Sequence, residues 1–260
     1  MKLQHVHPTA LVAAGARLAP DVRVGPFSVI GPAVEVDSGT TIASHVVIVG
    51  RTRIGTGNRI FQFASVGEIP QDRKYGGEPT ATVIGADNVI REFVTIHAGT
   101  VQHRGATTIG DRNLFLAYSH IAHDCVIGND TTFSNNAQLA GHVVIGDYAV
   151  LGGFVGVHQF CRIGAHAMIA AGTIVLQDVP PFVTASGYPA RPHGTNSEGL
   201  RRRGFAASDI VAVRQAYKTL YRQKLSLDEA RQTIAVAAAK APVLTALAEF
   251  LQTPGRGIIR

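Results

Sequence analysis

An apolar residue returns at every sixth position for most of this chain, and that beat limits the possible folds more than any other feature. From Val6 through Val12, Leu18 and Val24 to Val66 the phase holds without a miss, and from Ile109 through Ile121 and Ile145 to Val175 it holds again. An amphipathic helix repeats every ~3.6 residues and a half-buried strand every ~2, so neither asks for six. Self-similarity at a fixed period means a solenoid, and a hexapeptide period means a parallel β-helix.

Two further positions sharpen this reading. The residue after the aliphatic one is often glycine, as at Gly25, Gly55, Gly110 and Gly128, which suits the backbone of a tight corner. Four residues after the aliphatic one the side chain is usually small, as at Ser28, Ala64, Cys125, Ala149 and Cys161. Large and small inward residues then fill a narrow prism of three short strands per eighteen-residue turn, with successive turns about 4.8 Å apart. The pattern resembles the left-handed parallel β-helix of the hexapeptide-repeat acyltransferases. Handedness comes from that resemblance alone, because it runs against the usual crossover rule. A right-handed β-helix is the alternative, normally with longer and less regular turns.

The interruptions are as informative as the repeat. Between Gly67 and Val83 the stretch EIPQDRKYGGEPTAT carries proline, glycine and charge, yet Ile84 resumes the original phase, as expected of a loop that leaves one corner and returns. A second interruption, Gly99 to Thr107, slips the register by one residue. Loops on a rigid scaffold commonly carry binding residues. Beyond Val175 the segment PPFVTASGYPARPHG reads as a connection. A helix capped by Ser208 or Asp209 follows, then one opened by the Ser226 and Glu229 capping box, then a third starting near Pro242. The expected organisation is a β-helix over 1–188, with a loop projecting near 68–83, and an α-helical domain over 189–260. Helices at the end of the prism would cover its open strand edges.

Of the 260 residues 46% are apolar, enough for a prism and a small helical domain. No apolar run is long enough to span a bilayer, and the amino terminus lacks a secretory pattern. Cys125 and Cys161 both fall in the small inward slot, which predicts buried free thiols and a cytoplasmic protein. The net charge of +6 is unevenly spread, at −1 over residues 1–190 and +7 over 191–260. The basic carboxy-terminal region suits an acidic partner. Nucleic acid is disfavoured, because aromatic residues are not interleaved with the basic ones as a stacking platform requires.

The chemistry gathers in His120-Ile121-Ala122-His123-Asp124-Cys125, which leaves the repeat intact, so its polar residues must face out. His123 takes an outward position along a strand in this frame, and imidazole suits general-base work. Asp124 can hold the proton on one ring nitrogen and leave the other free. Gly141 lies eighteen residues beyond His123, one turn along, where its unscreened N–H can meet a developing oxyanion. His142 stands one turn from Asp124, and Gln159 continues the column of His123 and Gly141. No serine or cysteine nucleophile is suitably placed, which favours direct attack by a bound hydroxyl or amine.

Several segments together closely resemble the UDP-N-acetylglucosamine acyltransferase family: GEIPQDRKYGGEPT, HIAHDCVIGN, NNAQLAGHV, GGFVGVHQFCRIGAH, QDVPPFV and NSEGLRRRGF. The likeness covers nearly the whole chain, and generic hexapeptide transferases share the repeat without these segments. It implies transfer of a 3-hydroxyacyl chain from acyl carrier protein to the 3-hydroxyl of UDP-N-acetylglucosamine, the first step of lipid A synthesis. By the matching motifs His123 is the general base, Asp124 its orienting partner and Gly141 the oxyanion donor. Asp72, Lys74, His120, His142 and Gln159 resemble contacts to the sugar or acyl chain. Asn196, Glu198, Arg202 and Arg203 resemble nucleotide contacts, the arginines suiting phosphate. Ala171 stands where side-chain bulk limits acyl length in the family. The resemblance also implies a homotrimer with sites between neighbours, and no cofactor or metal beyond the phosphopantetheine of the carrier. The related N-acyltransferase carries an added amino-terminal domain, and a repeat that begins at Val6 argues against it.

Two other readings stand beside this one. Three imidazoles, His120, His123 and His142, would suffice for a zinc enzyme on the same scaffold, and the basic tail alone would suit a non-enzymatic scaffold that binds an acidic protein. The sequence leaves open the acyl length, the interface of the oligomer, and whether the acceptor bears a 3-hydroxyl or a 3-amino group. Tyr188, where asparagine is common in the family, is a departure in the connecting segment.

Overall fold

The computed structural model describes residues 5–253 and 255–260. Among them the six-residue beat becomes a stack of coils that feeds three parallel sheets. The first sheet has nine strands, from Leu11–Val12 to Ile174–Val175, and the second has eight, from Arg17–Leu18 to Arg162–Ile163. The third has ten, from Arg23–Val24 through Met168–Ile169 to Val183–Ser186 and Arg191–Thr195. The chain visits the sheets in fixed rotation and, outside the two interruptions, returns to each after eighteen residues, so His120 pairs with Gln138 and Gln138 with Gly156. This is a left-handed parallel β-helix, with α-helices at its carboxy-terminal end.

The interior follows the expected alternation. Ile48, Ile96 and Phe115 are fully buried, and so are the small residues Cys125, Ala137, Ala149 and Cys161. Both cysteines are free, and burial pushes their thiols up to about 12. A buried amide ladder runs through the same slot: Asn58 Oδ1 accepts from the Asn88 N–H at 2.9 Å, and Asn113 Oδ1 from the Thr131 N–H at 2.8 Å. These oxygens supply the acceptors that buried N–H groups need.

Glycine after the aliphatic residue serves a different purpose from the one its chemistry suggests. Gly25, Gly55, Gly110 and Gly128 do not take left-handed φ angles. Instead a Cβ on Gly55 would come within 2.8 Å of the Gly85 backbone, and one on Gly110 within 2.6 Å of the Gly128 carbonyl oxygen. The glycines let one coil lie against the next. At most corners the second residue of the turn is left-handed, and it is often not glycine: Asp124 has φ +58°, His142 +64° and Phe160 +64°.

Both interruptions of the repeat leave from one corner, where the first sheet passes to the second. Residues 69–80 join Ser65–Glu68 to Ala81–Ile84, and residues 98–105 join Thr95–His97 to Ala106–Ile109. The next coil at that corner carries His123 and Asp124, between His120–Ile121 and Val126–Ile127.

The segment after Val175 is more than a connection. Val183–Ser186 and Arg191–Thr195 pair antiparallel and extend the third sheet, so the junction expected between residues 188 and 189 falls in the tip of a hairpin. Among the described residues four α-helices follow: α1 (Ser197–Arg202), α2 (Ala207–Tyr221), α3 (Leu227–Ala238) and α4 (Thr245–Gln252). Ala206 stands at the cap of α2 with no side-chain cap bond, which puts Ser208 and Asp209 inside the first turn and not at its cap. The Ser226–Glu229 capping box is formed as expected, and Pro242 opens a short 3-10 turn that leads into α4. Leu200, Ile210, Leu220, Ile234 and Leu247 make a second core under these helices. The last residues return to the prism, where the Asp178 N–H donates to the Gly257 carbonyl at 2.8 Å and the Ile259 N–H to the Asp178 carbonyl at 2.9 Å.

Candidate active site

The corner between the first and second sheets stacks three two-residue turns: His123-Asp124, Gly141-His142 and Gln159-Phe160. His123 therefore sits in a turn and not along a strand as the repeat frame suggests, because the coil has already left the sheet after Ile121. The stacking itself is as the eighteen-residue arithmetic requires. A Cβ on Gly141 would lie 2.5 Å from His123 Cε1 and 2.6 Å from Nε2, so the imidazole rests directly on the glycine. Among the described residues, the Gly141 N–H donates no hydrogen bond within the chain.

His123 Nδ1 lies 3.0 Å from Asp124 Oδ2. A carboxylate only accepts, so Nδ1 carries the proton and Nε2 is left as the acceptor. Asp124 is 0% exposed. Burial alone would raise its pKa, but hydrogen bonds from the Thr100 hydroxyl, His123, and the N–H groups of Thr100 and Arg104 hold the carboxyl below its ordinary value. Such a buried, donor-saturated anion is fixed in place.

The neighbouring imidazoles differ from His123 in surroundings. Burial, with the adjoining His97 and His123, pushes His120 down to about 4, and its Nδ1 lies 2.7 Å from the Thr95 hydroxyl. His142 is lowered chiefly by burial, against the pull of Asp124; its ring stacks on Phe160 at 4.4 Å and meets His123 edge-on at 4.9 Å. Both rings stay neutral in near-neutral solution and present polar edges without charge.

From His123 a groove of about 490 Å³ runs over the outer face of the first sheet. His120, Gln138, Gly156 and Ile174 occupy one register column across it. Ala122, Ala140 and Leu176 line it beside them, so its floor is largely apolar and shallow. Gln71 from the first loop and His158 also line it. Apart from His120, these residues were missed by motif reading: alanine, glycine and leucine carry no chemical signal, and Gln71 belongs to a loop whose course the repeat does not fix.

The predicted residues fall into three places. His123, Asp124, Gly141, His142 and Gln159 share the first-to-second-sheet corner, with Gln159 exposed at the outer end of the column, and His120 lies on the first-sheet strand that leads into it. Asp72 is close enough to His142 to act on its charge, and Asp72 Oδ1 accepts from the Lys74 N–H at 3.0 Å, which puts that loop beside the same corner. Asn196, Glu198, Arg202 and Arg203 lie elsewhere, at the corner from the second sheet to the third. Asn196 caps α1 and donates from Nδ2 to the His166 carbonyl at 3.0 Å, Glu198 Oε1 pairs with Arg202 at 3.2 Å, and the Arg203 guanidinium lies 4.9 Å from the Tyr148 ring centre. Ala171 is exposed in a turn at the remaining corner, from the third sheet to the first, and is not among the groove-lining residues.

A metal site of His120, His123 and His142 is not what the geometry assembles. Ligand atoms of His103, Asp124 and His142 come within 4.8 Å of one another. One of these contacts, His142 Nδ1 to Asp124 Oδ2 at 3.9 Å, involves an oxygen that already accepts from Thr100 twice and from His123. That oxygen is committed to positioning and not to a cation.

Comparison with known proteins shows which family the chain resembles. A family model described as UDP N-acetylglucosamine O-acyltransferase, domain 2, matches residues 178–259, and the bacterial transferase hexapeptide model matches 106–141 and 142–177. An acyl-[acyl-carrier-protein]–UDP-N-acetylglucosamine O-acyltransferase of Thiobacillus denitrificans is 58% identical over 255 residues, covering 98% of this chain and 99% of that one. The protein of that name from Verminephrobacter eiseniae is 52% identical, covering 99% and 100%. Among solved structures, LpxA of Acinetobacter baumannii superposes with a TM-score of 0.96 at 45% identity, covering 98% of this chain and 100% of that one.

Proposed function

The chain belongs to the UDP-N-acetylglucosamine O-acyltransferase family, and from that premise we propose how its corner and groove carry out the transfer. It is an acyl-[acyl-carrier-protein]–UDP-N-acetylglucosamine O-acyltransferase, which performs the first step of lipid A biosynthesis. The 3-hydroxyacyl thioester lies with its chain along the apolar floor of the first sheet. The sugar 3-hydroxyl approaches His123 Nε2, which removes its proton as the oxygen attacks the thioester carbonyl. Charge then develops on the carbonyl oxygen, within reach of the free Gly141 N–H. Asp124 stabilises the imidazolium and keeps Nε2 aimed into the groove, as an orienting carboxylate does. Collapse of the tetrahedral intermediate expels the phosphopantetheine thiolate, which takes the proton back from His123. The ester forms, the thioester breaks, and no proton is lost.

The observation that carries this reading is the His123 ring lying on Gly141 with its Nδ1 bound to a buried carboxylate. Direct transfer is favoured over an acyl-enzyme because Cys125, the nearby nucleophile, is fully buried with its thiol pushed up to about 12. The balance of protons needs no metal or other cofactor. Gln71, Asp72, Lys74, His120, His142 and Gln159 surround the acceptor, and Ala171 marks the far edge of the sheet that floors the groove. Asn196, Glu198, Arg202 and Arg203 hold the nucleotide, but they stand at another corner of the prism. A homotrimer reconciles the two, with the His123 corner of one chain facing the Arg203 corner of the next. A carrier-protein thioester as donor supports a reaction in the cytoplasm. Among the described residues no helix is long and apolar enough to cross a membrane.

The test is His123→Ala. Product formation, followed by mass spectrometry, should fall below detection while calorimetry still records binding of UDP-N-acetylglucosamine. Turnover that survives the substitution removes His123 from the mechanism.

A further inference from the structure

The second loop, 98–105, has no part in the reaction as just described, yet it is where the hexapeptide phase slips by one residue. Its hydrogen bonds give the detour a use. The Thr100 hydroxyl donates to Asp124 Oδ2 at 2.6 Å and the Thr100 N–H donates to the same oxygen at 3.0 Å. The Arg104 N–H donates to Oδ1 at 3.2 Å. The Thr100 carbonyl accepts from the Gly105 N–H at 2.9 Å, which closes the loop on itself, and Gly105 takes the left-handed φ of +70° that this closure requires. At its root the Ala98 N–H donates to the Glu68 carbonyl at 2.9 Å and the Gly99 N–H to the Ala81 carbonyl at 3.1 Å, tying it to the strands on either side of the first loop.

Thr100 is 1% exposed and Asp124 0%. Among the described residues no guanidinium or ammonium group pairs with this buried carboxylate; its partners are loop donors and the two imidazoles of its own corner. One oxygen, Oδ2, receives both the Thr100 hydroxyl and His123 Nδ1. The direction in which His123 is held therefore depends on how that oxygen is held.

We propose that Thr100 is a positioning residue for the acyl transfer: its hydroxyl fixes the Asp124 carboxylate so that Oδ2 meets His123 Nδ1 and the opposite nitrogen points into the groove. Thr100 touches no reacting atom and acts only through Asp124. The proposal rests on His123 being the base, and the experiment separates the two. Thr100→Val keeps the shape and the backbone donor but loses the hydroxyl. A hydrogen bond to a charged group is worth enough that kcat should fall about tenfold. KM for UDP-N-acetylglucosamine should stay within about twofold, because ground-state binding is untouched. Thr100→Ser restores the donor and should restore kcat. In an Asp124→Ala background Thr100→Val should have no further effect on kcat, since residues acting through one contact are not additive.

A Thr100→Val enzyme with wild-type kcat overturns the proposal, as does a loss of kcat that persists undiminished without Asp124. A serine variant as slow as valine does so too. If the valine variant does not fold, Thr100→Cys, with a weak donor of similar size, carries the same comparisons. His123→Ala measured alongside distinguishes the failures: its turnover overturns both readings, whereas its inactivity beside a fully active Thr100→Val overturns only the role of Thr100.

Discussion

Gly141 has no room for a methyl group. The position of its Cβ is already taken by the His123 ring, with Cε1 at 2.5 Å and Nε2 at 2.6 Å, and the ring is held by a carboxylate that cannot follow it. Gly141→Ala must therefore turn the imidazole away from the groove. A misplacement of about 1 Å in a catalytic group costs on the order of a hundredfold. We expect kcat to drop by about that factor while thermal stability changes little, because the added methyl meets the His123 side chain and not the backbone of the next coil. An alanine variant with wild-type kcat would mean that the base is not where the ring lies. This pair was legible in the sequence because eighteen residues per coil is arithmetic, and arithmetic predicts neighbours. Thr100 was not legible for the same reason: a loop that breaks the count leaves nothing to count with, so its contact with Asp124 appears only in three dimensions.

At the scale of the coil, the sequence motif was plain and its cause was not. Gly110 follows an aliphatic residue, as many glycines here do, and corner conformation is the obvious explanation. The corners instead bend at residues such as Asp124, His142 and Phe160, which take left-handed φ despite having side chains. Gly110 answers to packing: a Cβ there would stand 2.5 Å from Asn129 Oδ1 and 2.6 Å from the Gly128 carbonyl oxygen. The carbonyl belongs to the ladder between coils and cannot move without loosening it. Gly110→Ala should destabilise the protein by about 1–3 kcal/mol, the usual cost of overpacking. Urea unfolding with an unchanged slope and a lowered midpoint would record it, and an unchanged midpoint would show that the coils have slack. The end of the prism was harder to foresee. Proline and glycine in PPFVTASGYPARPHG signal turns, but the two strands between them carry no six-residue beat and pair antiparallel, so they escape a search for repeats.

For the molecule as a whole, the decisive fact is that the two halves of the proposed site do not meet within one chain. His123 and Gly141 stand at the corner from the first sheet to the second, whereas Arg203 lies over Tyr148 at the corner from the second to the third. Motif likeness names the residues of both halves and, through the family, implies sites between neighbouring chains, but the corner at which each residue stands appears only in three dimensions. A cyclic trimer brings unlike corners together three times over, as heterologous contacts in a closed ring do. Complementation tests this directly. His123→Ala and Arg203→Ala proteins, each impaired alone, are unfolded together in equal amounts and refolded into mixed trimers. A site then joins an intact His123 corner to an intact Arg203 corner whenever the two variants adjoin in the right order, in about one case in four for random assembly. Activity near a quarter of wild type is the expected result. If the mixture is no more active than its parents, the nucleotide and the base meet on a single chain, and the trimeric site is wrong.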